Sequence, residues 1–156
     1  MIAMAFQSLK RSVMVIGLVI AMSSVVLAAG TVTQALTVHG YQTMYQKLVF
    51  TWTADSSNGS LPATPVDGSY MARLQGWYLF LAVTDPGATA PTDNYDITVT
   101  DSYGVDLVAG MLADRDTATS EQIFPVPRLV DTTLAMTITN NAVNSAVGTL
   151  VLYFAR

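Results

Sequence analysis

Aspartates are the residues of this sequence that come nearest to a chemical constellation. They are densest in one stretch, at Asp93, Asp96, Asp101, Asp106, Asp114 and Asp116. Oxygen-rich turns of this kind can hold calcium, but the spacing lacks the D-x-[DN]-x-[DN]-G pattern of a calcium loop. A glycosidase pair could be drawn from the same carboxylates. Because Asp also satisfies backbone groups in turns, we expect these residues to act in turns and on the surface rather than to bind metal.

Nucleophilic catalysis has little support in the sequence. His39 is the single histidine, and a catalytic base needs both a nucleophile and an orienting partner. Ser56, Ser57 and Ser60 are present, but no G-x-S-x-G elbow surrounds them. We interpret His39 as a solvated linker residue. The sequence therefore predicts no catalytic, cofactor-binding or metal-ligating residue.

Aromatic residues offer a carbohydrate-binding alternative, because aromatic faces are rigid and stack well on sugars. The candidates for such a platform are Trp52, Trp77, Tyr78, Tyr95 and Tyr103. Aromatic residues at alternating positions of a strand are more often part of the core, and a fold alone does not supply a site. An exported carbohydrate-binding module is thus an alternative rather than the first interpretation.

Composition narrows the class of protein. A chain of 156 residues is long enough for one domain with an appendage. The apolar content of 51% and charged content of 12% exclude a disordered chain and indicate a well-buried β protein or a membrane-associated one. The net charge of −4 and the scattered basic residues disfavour nucleic-acid binding. The absence of cysteine excludes disulfides and thiolate metal sites.

Residues 1–30 predict a membrane-directed segment. Lys10 and Arg11 precede an apolar run, Val13 to Ala29, that should be helical, and no other charged residue occurs before Lys47. One interpretation is a secretory signal cleaved after Ala28. Another is a retained anchor that meets the membrane through residues 12–29, with its basic end on the cytoplasmic side. A buried helix of a soluble assembly is the third.

The remainder of the chain is typical of short β-strands. Residues 31–44 read as an edge strand or a linker, and Tyr45 to Ala54 as a strand that buries alternate side chains including Trp52. Tyr70 to Thr84 is predicted to be a further strand, with a bulge at Gly76. Tyr95 to Thr100 and Val105 to Val108 are predicted to form a β-hairpin. Trp52 and Ile97 should lie in one core.

The last third continues the same pattern. Ala113 to Gln122 is a polar excursion or a helical turn, and Pro125 and Pro127 keep the following segment extended and near an edge. Strands are predicted at Thr132 to Thr139 and Val147 to Phe154. Without an amphipathic helix after residue 30, the sequence predicts an antiparallel β-sandwich or jelly roll with an N-terminal hydrophobic helix, or alternatively a barrel. The predicted division is 1–30, 31–44 and a β domain at 45–156.

Four segments carry a resemblance to a known group of proteins. They are LVFTWTADSSNGS (residues 48–60), DPGATAPTDNYDITVTDSYGVDLVAG (85–110), ADRDTATSEQ (113–122) and TITNNAVNSAVGTLVLYF (137–154). Over residues 45–156 the chain resembles small uncharacterised β-sandwich proteins of tailed phages and prophages, suspected of being virion or assembly components. The resemblance implies a structural role, since none of its motifs is catalytic. The N-terminal segment departs from that group and favours a protein that meets a membrane.

We therefore expect a non-enzymatic structural subunit of a phage-like virion or assembly. It would act as a homo-oligomer or by docking on other virion proteins, without cofactor or nucleic acid, and would be found in the virion or anchored at or exported to the cell surface. The alternative is a pilin-like surface filament subunit with the apolar segment in the filament core. Against it, no Glu follows the start of the apolar run as in type IV pilins.

Overall fold

A computed structural model of the protein describes residues 29–39 and 45–156. The strands within this part of the chain are β1 (Thr31–His39), β2 (Tyr45–Thr53), β3 (Thr64–Pro65), β4 (Tyr78–Pro86), β5 (Asp96–Thr100), β6 (Glu121–Ile123), β7 (Arg128–Leu129), β8 (Ala135–Thr139) and β9 (Val147–Ala155). A short helix, α1 (Gly68–Leu74), lies between β3 and β4. The prediction of a mainly β chain with antiparallel sheets is confirmed.

Two sheets contain all of these strands. The large sheet has the order β1-β2-β9-β4, and β6 and β7 both pair with the outer side of β4. The small sheet has the order β3-β8-β5. Every pairing is antiparallel. The long strands β1, β2, β9 and β4 therefore form a continuous wall, with short strands at the β4 side.

One hydrophobic core is common to both sheets. In β2, alternate residues Leu48, Phe50 and Trp52 are buried, and β9 contributes Leu150, Leu152 and Phe154 in the same way. From the small sheet, Ile97, Val99, Met136 and Ile138 belong to the same cluster. Side chains alternate across a strand, so each sheet turns one apolar face inwards. The prediction that Trp52 and Ile97 share one core is confirmed.

Helix α1 corrects the strand predicted from Tyr70 to Thr84. Asp67 precedes the helix and its carboxylate accepts a hydrogen bond from the Ser69 amide (2.8 Å), which is an N-cap. Met71 and Leu74, three residues apart, are buried on one helical face. Gly76 has φ +80° and turns the chain from the helix into β4 rather than forming a bulge. The expectation of no amphipathic helix after residue 30 is also wrong, since this helix buries one face.

β4 does contain a bulge, but the bulge lies at Phe80 rather than at Gly76. The register between β4 and β9 shifts between Leu79 and Leu81, so Phe80 is the extra residue. The shift coincides with the gap between β6 and β7 along the same strand. β4 is therefore regular towards β9 on either side of one bulge and only partly paired on its outer side.

Only the first strand of the predicted β-hairpin forms. Tyr95 to Thr100 contains β5, but residues 105–108 form turns and make only a single bridge, between Thr100 and Asp106. The Leu107 amide still donates to the Val99 carbonyl (2.8 Å), so the segment folds back along β5 without becoming a strand. The regular partner of β5 is β8.

The remaining segments follow the predictions more closely. The polar excursion predicted from Ala113 to Gln122 is correct for residues 113–120, which are bends with a single bridge from Arg115 to Tyr95, but Glu121 and Gln122 belong to β6. The strands predicted near the end of the chain are β8 and β9. The prolines at 125 and 127 lie between the short edge strands β6 and β7. The predicted helix at Val13 to Ala29 and the membrane-directed segment, residues 1–30, lie outside the described residues, apart from Ala29 and Gly30.

Candidate docking surfaces

The free edge of β1 is the most regular unpaired surface in the described part of the chain. β1 pairs with β2 over nine consecutive residues, from Thr31 opposite Thr53 to His39 opposite Tyr45, without a register shift. On its other side no described strand is paired with it. Val32 and Leu36 pack against the core, so the strand is fixed on the sheet by its inward face.

The hydrogen bonding of β2 shows which backbone groups of β1 point outwards. The Ala54 amide donates to the Ala146 carbonyl (2.7 Å), so even-numbered residues at this end of β2 direct their backbone groups towards β9. Backbone direction alternates along a strand, and the odd-numbered residues of β2 therefore face β1. Their partners Thr31, Thr33, Ala35 and Thr37 point back at β2. The N–H and C=O groups of Val32, Gln34, Leu36 and Val38 consequently face the free edge.

This edge lacks the devices that usually protect a sheet from further pairing. Natural edge strands are short, bulged, or carry Lys or Pro, because unpaired ladder groups recruit other strands. β1 is nine residues long with the sequence TVTQALTVH, and has neither a proline nor an acidic or basic residue other than His39 at its end. Its outward face towards solvent bears threonines and Ala35.

An exposed apolar strip lies at the opposite edge of the large sheet. It consists of Tyr78, Phe124, Val126 and Leu129, with exposed fractions of 45%, 66%, 78% and 47%. Tyr78 and Leu129 are opposite each other in the β4–β7 pair, and Phe124 and Val126 alternate with the two prolines of the β6–β7 connection. We call these four residues the apolar edge strip. Exposed apolar side chains gathered at one edge are typical of surfaces through which proteins contact other proteins.

The aspartates act as acceptors for backbone amides. Asp106 accepts from the amides of Val99 (3.1 Å), Val108 (3.2 Å) and Gly110 (2.7 Å). Asp101 accepts from Tyr103 and Val105, both at 2.8 Å. These carboxylates close the turns that follow β5.

The other carboxylates of the set lie in neighbouring turns. Asp96 accepts from the Asp114 amide (2.9 Å) and from the Asn140 side chain. Asp116 accepts from the Ala118 amide (2.6 Å) and the Thr119 hydroxyl (2.9 Å), and these bonds lower the pKa of its carboxyl group. Asp93 is exposed. Across residues 29–39 and 45–156, no three His, Cys, Asp or Glu side chains are grouped as metal ligands. That the turns bind no calcium stays a prediction.

The histidine and the serines are held apart by the length of β2. His39 ends β1 and its ring stacks on Tyr45 at 4.8 Å, at the start of β2. Ser56, Ser57 and Ser60 follow the other end of that strand, about 27 Å away at the rise of an extended chain. Their loop is organised by the buried Asp55, whose carboxylate accepts from the Ser57 amide (2.7 Å). This geometry assembles no nucleophile and base.

The aromatic candidates do not form a platform. Trp52, Trp77 and Tyr95 are buried, and the rings of Trp52 and Tyr95 pack against each other at 6.0 Å inside the core. Tyr78 and Tyr103 are exposed, but one is in β4 of the large sheet and the other is in the turn after β5. Burial together with the nearby Glu121 carboxylate raises the pKa of Tyr95 to about 12. These five residues therefore offer no common surface for a sugar.

The docking surfaces were only partly visible in the sequence. The prolines predicted an extended segment near an edge, but the segment IFPVPRLV did not show that Phe124 and Val126 point to solvent, since apolar residues there fit a core equally well. The edge position of β1 was one of two interpretations. In the described residues, no helix has the length and apolar character needed to cross a bilayer.

Comparison with known proteins places the chain in no family. No family model matches it, and no curated protein matches it. Among solved structures, it is similar to a chain of the cyanophage Pam1 capsid asymmetric unit, with 19% identity, 82% of this chain and 86% of that chain covered, and a TM-score of 0.34. A TM-score of this size is too low to establish a shared fold.

Proposed function

We propose that this protein is a non-enzymatic structural subunit of a phage-like virion or assembly. In this proposal the two sheets form a β-sandwich that associates with itself and docks on neighbouring subunits, and residues 12–29 direct the chain to a membrane. The observation that carries the proposal is the apolar edge strip at the β4 side of the large sheet. The resemblance of residues 45–156 to small phage proteins supplies the kind of assembly.

The apolar edge strip is suited to contact with another subunit of the assembly. Phe124 and Val126 are the two large apolar residues with the greatest exposure next to β4, and burying a side chain of this size is worth roughly 1.5–3 kcal/mol. Proline fixes backbone φ, so Pro125 and Pro127 limit the conformations of the segment before it binds. A restrained apolar segment loses little conformational entropy on docking.

The first test is the composition of particles. Virions or tail-like particles of the phage or prophage that encodes this chain are purified by two density gradients and analysed by mass spectrometry. We expect peptides of this protein at a fixed ratio to the major shell protein in every gradient fraction that contains particles. Their absence from particles that retain their other structural proteins would overturn the proposal.

The second test asks whether the apolar edge strip mediates incorporation. The double substitution Phe124→Ser and Val126→Ser should lower the copy number in particles at least tenfold, while the melting temperature of the isolated protein stays unchanged because both residues are exposed. Tyr103→Ser is the matched control, since Tyr103 is 76% exposed but belongs to the turn after β5. Equal incorporation of both variants would show that docking uses another surface.

A further inference from the structure

We infer that two copies of this protein pair through the free edges of β1. The two strands run antiparallel about a twofold axis at Ala35, so that the two large sheets become one continuous sheet. This contact would explain how the protein associates with itself in the proposed function. The geometry of the contact does not depend on that function, but its role in an assembly does.

The register about Ala35 satisfies every outward backbone group of β1. With Ala35 opposite Ala35 of the second copy, Val32 lies opposite Val38 and Gln34 opposite Leu36. These four residues are the ones whose N–H and C=O groups face the free edge, and each opposing pair of this kind exchanges two hydrogen bonds. A shift of two residues would place Val32 or Val38 opposite residues outside β1. The observed bounds of the strand thus select one register.

The same register matches side chains on both faces. Residues with numbers of the same parity oppose each other, so inward-facing side chains meet inward-facing ones. Val32 meets Val38 on the inner face, and Thr33 meets Thr37 on the outer face. Threonine pairs are favourable across antiparallel strands, β-branched side chains such as valine pack well on a pleated surface, and no like charges meet because positions 31–38 carry none. Ala35 at the axis is exposed and small enough for close approach.

The free edge of β1 is better suited to pairing with β1 of a second copy than with the opposite edge of the large sheet. Pairing of β1 with β1 is isologous and closes after two copies. The β4 side offers only the short strands β6 and β7, with a bulge at Phe80 and two prolines between them. Proline cannot donate to a ladder, so that edge is unsuited to pairing with β1. The two edges therefore have different uses.

A single cysteine can report the predicted axis, because the natural chain has none. At a pair that is not hydrogen-bonded, the Cα atoms are about 4.5 Å apart, within the range of about 4.4–6.8 Å for a disulfide. Ala35→Cys in the full chain, oxidised with copper–phenanthroline in a detergent that keeps it dispersed, should give a covalent dimer as the main product. Thr33→Cys is the control on the same face, because its counterpart in the second copy would lie about 13 Å away along the strand.

The register has a second readout. The double variant Thr33→Cys and Thr37→Cys should form dimers where Thr33→Cys alone does not, since these two positions are opposite each other across the contact. Equal crosslinking of Thr33→Cys and Ala35→Cys would indicate random collision, and would overturn the inference. Failure of Ala35→Cys to crosslink would do the same.

A charge at the axis tests the contact without cysteine. Ala35→Lys should convert the dimer into monomer in native mass spectrometry of the full chain, whereas Ala35→Ser should leave it dimeric. Ala35 is exposed, so neither change disturbs the core. A dimer that persists with Ala35→Lys would have to be held by another part of the chain, and the β1 contact would be wrong. If the β1 dimer forms but particles lack the protein, the proposed function fails and the contact stands.

Discussion

At the scale of single residues, the core contains buried polar atoms that have no hydrogen-bond partner among the described residues. Trp52 Nε1, Thr84 Oγ1 and Tyr95 Oη are buried and have no hydrogen-bond partner in the described part of the chain. A buried polar group without a partner costs stability. Trp52 and Tyr95 thus contribute to the core through the apolar volume of their rings, which pack against each other.

Tyr95 gives a pH prediction. Below pH 10 its hydroxyl is neutral in the folded and the unfolded chain. Above pH 10 the unfolded chain ionises first, because burial raises the folded pKa to about 12. The free energy of unfolding should then fall by about 1.4 kcal/mol per pH unit between those values.

Tyr95→Phe is the matched control for this titration. The variant should be at least as stable as the natural protein at pH 7, because the hydroxyl has no partner. Urea unfolding at several pH values between 9 and 12 would compare the two slopes. Equal slopes would show that the Tyr95 hydroxyl reaches solvent.

Gly148 shows why a glycine occurs inside a central strand. A Cβ atom at this position would lie 2.6 Å from Cζ2 of Trp52, its partner across the β2–β9 pair. The indole ring thus occupies the space above the glycine. Sequence alone left this position unexplained, since glycine ordinarily weakens a strand.

At the scale of elements, side-chain hydrogen bonds decided where sequence prediction failed. The segment after β5 has the apolar and polar residues that a strand would have. However, the Asp106 carboxylate accepts hydrogen bonds from three backbone amides, and such a turn replaces the regular pairing of a hairpin. Helix α1 depends on the Asp67 cap and on only two buried residues. The alternation of apolar and polar residues does not reveal side-chain hydrogen bonds of this kind, so it mispredicts these short segments. It does predict the long strands β2 and β9, because their side chains alternate over nine residues.

Asp106 is the residue to change in order to test this account. Asp106→Ala removes the acceptor for the amides of Val99, Val108 and Gly110, and should lower the free energy of unfolding by about 1–3 kcal/mol. Asp93→Ala is the control, because Asp93 is exposed, and it should change stability by less than about 0.5 kcal/mol. Chemical denaturation measures both. If Asp106→Ala lost as little unfolding free energy as Asp93→Ala, the carboxylate of Asp106 would be dispensable to the turn.

At the scale of the whole molecule, the core within the described residues lies between Leu48 and Phe154, with Val32 and Leu36 of β1 packed on it. A chain beginning at Thr31 should therefore fold without the apolar N-terminal segment. We expect a β-rich circular dichroism spectrum and cooperative thermal unfolding. The full chain should require detergent or assemble, because its N-terminal segment is too apolar to remain in water alone.

A chain beginning at Tyr45 refines the same experiment. It lacks β1 and exposes the edge of β2, so it should melt at a lower temperature than the chain beginning at Thr31. Equal melting temperatures would mean that β1 adds nothing to the domain and that the predicted boundary at residue 45 is sound. An unfolded chain from Thr31, with a full chain that is a soluble monomer, would show that residues 1–30 belong to the core.

The order of strands in the large sheet also constrains synthesis. Within the described residues, β2 and β4 do not pair with each other but each pairs with β9, which is made long after both of them. A nascent chain therefore cannot close the sheet until β9 has left the ribosome, and pairings so distant in sequence form slowly. During that interval the inner faces of two long strands stay uncovered, which favours aggregation. Slow translation before β9 should thus lower the yield of folded protein, and a chaperone that shields β2 and β4 should restore it.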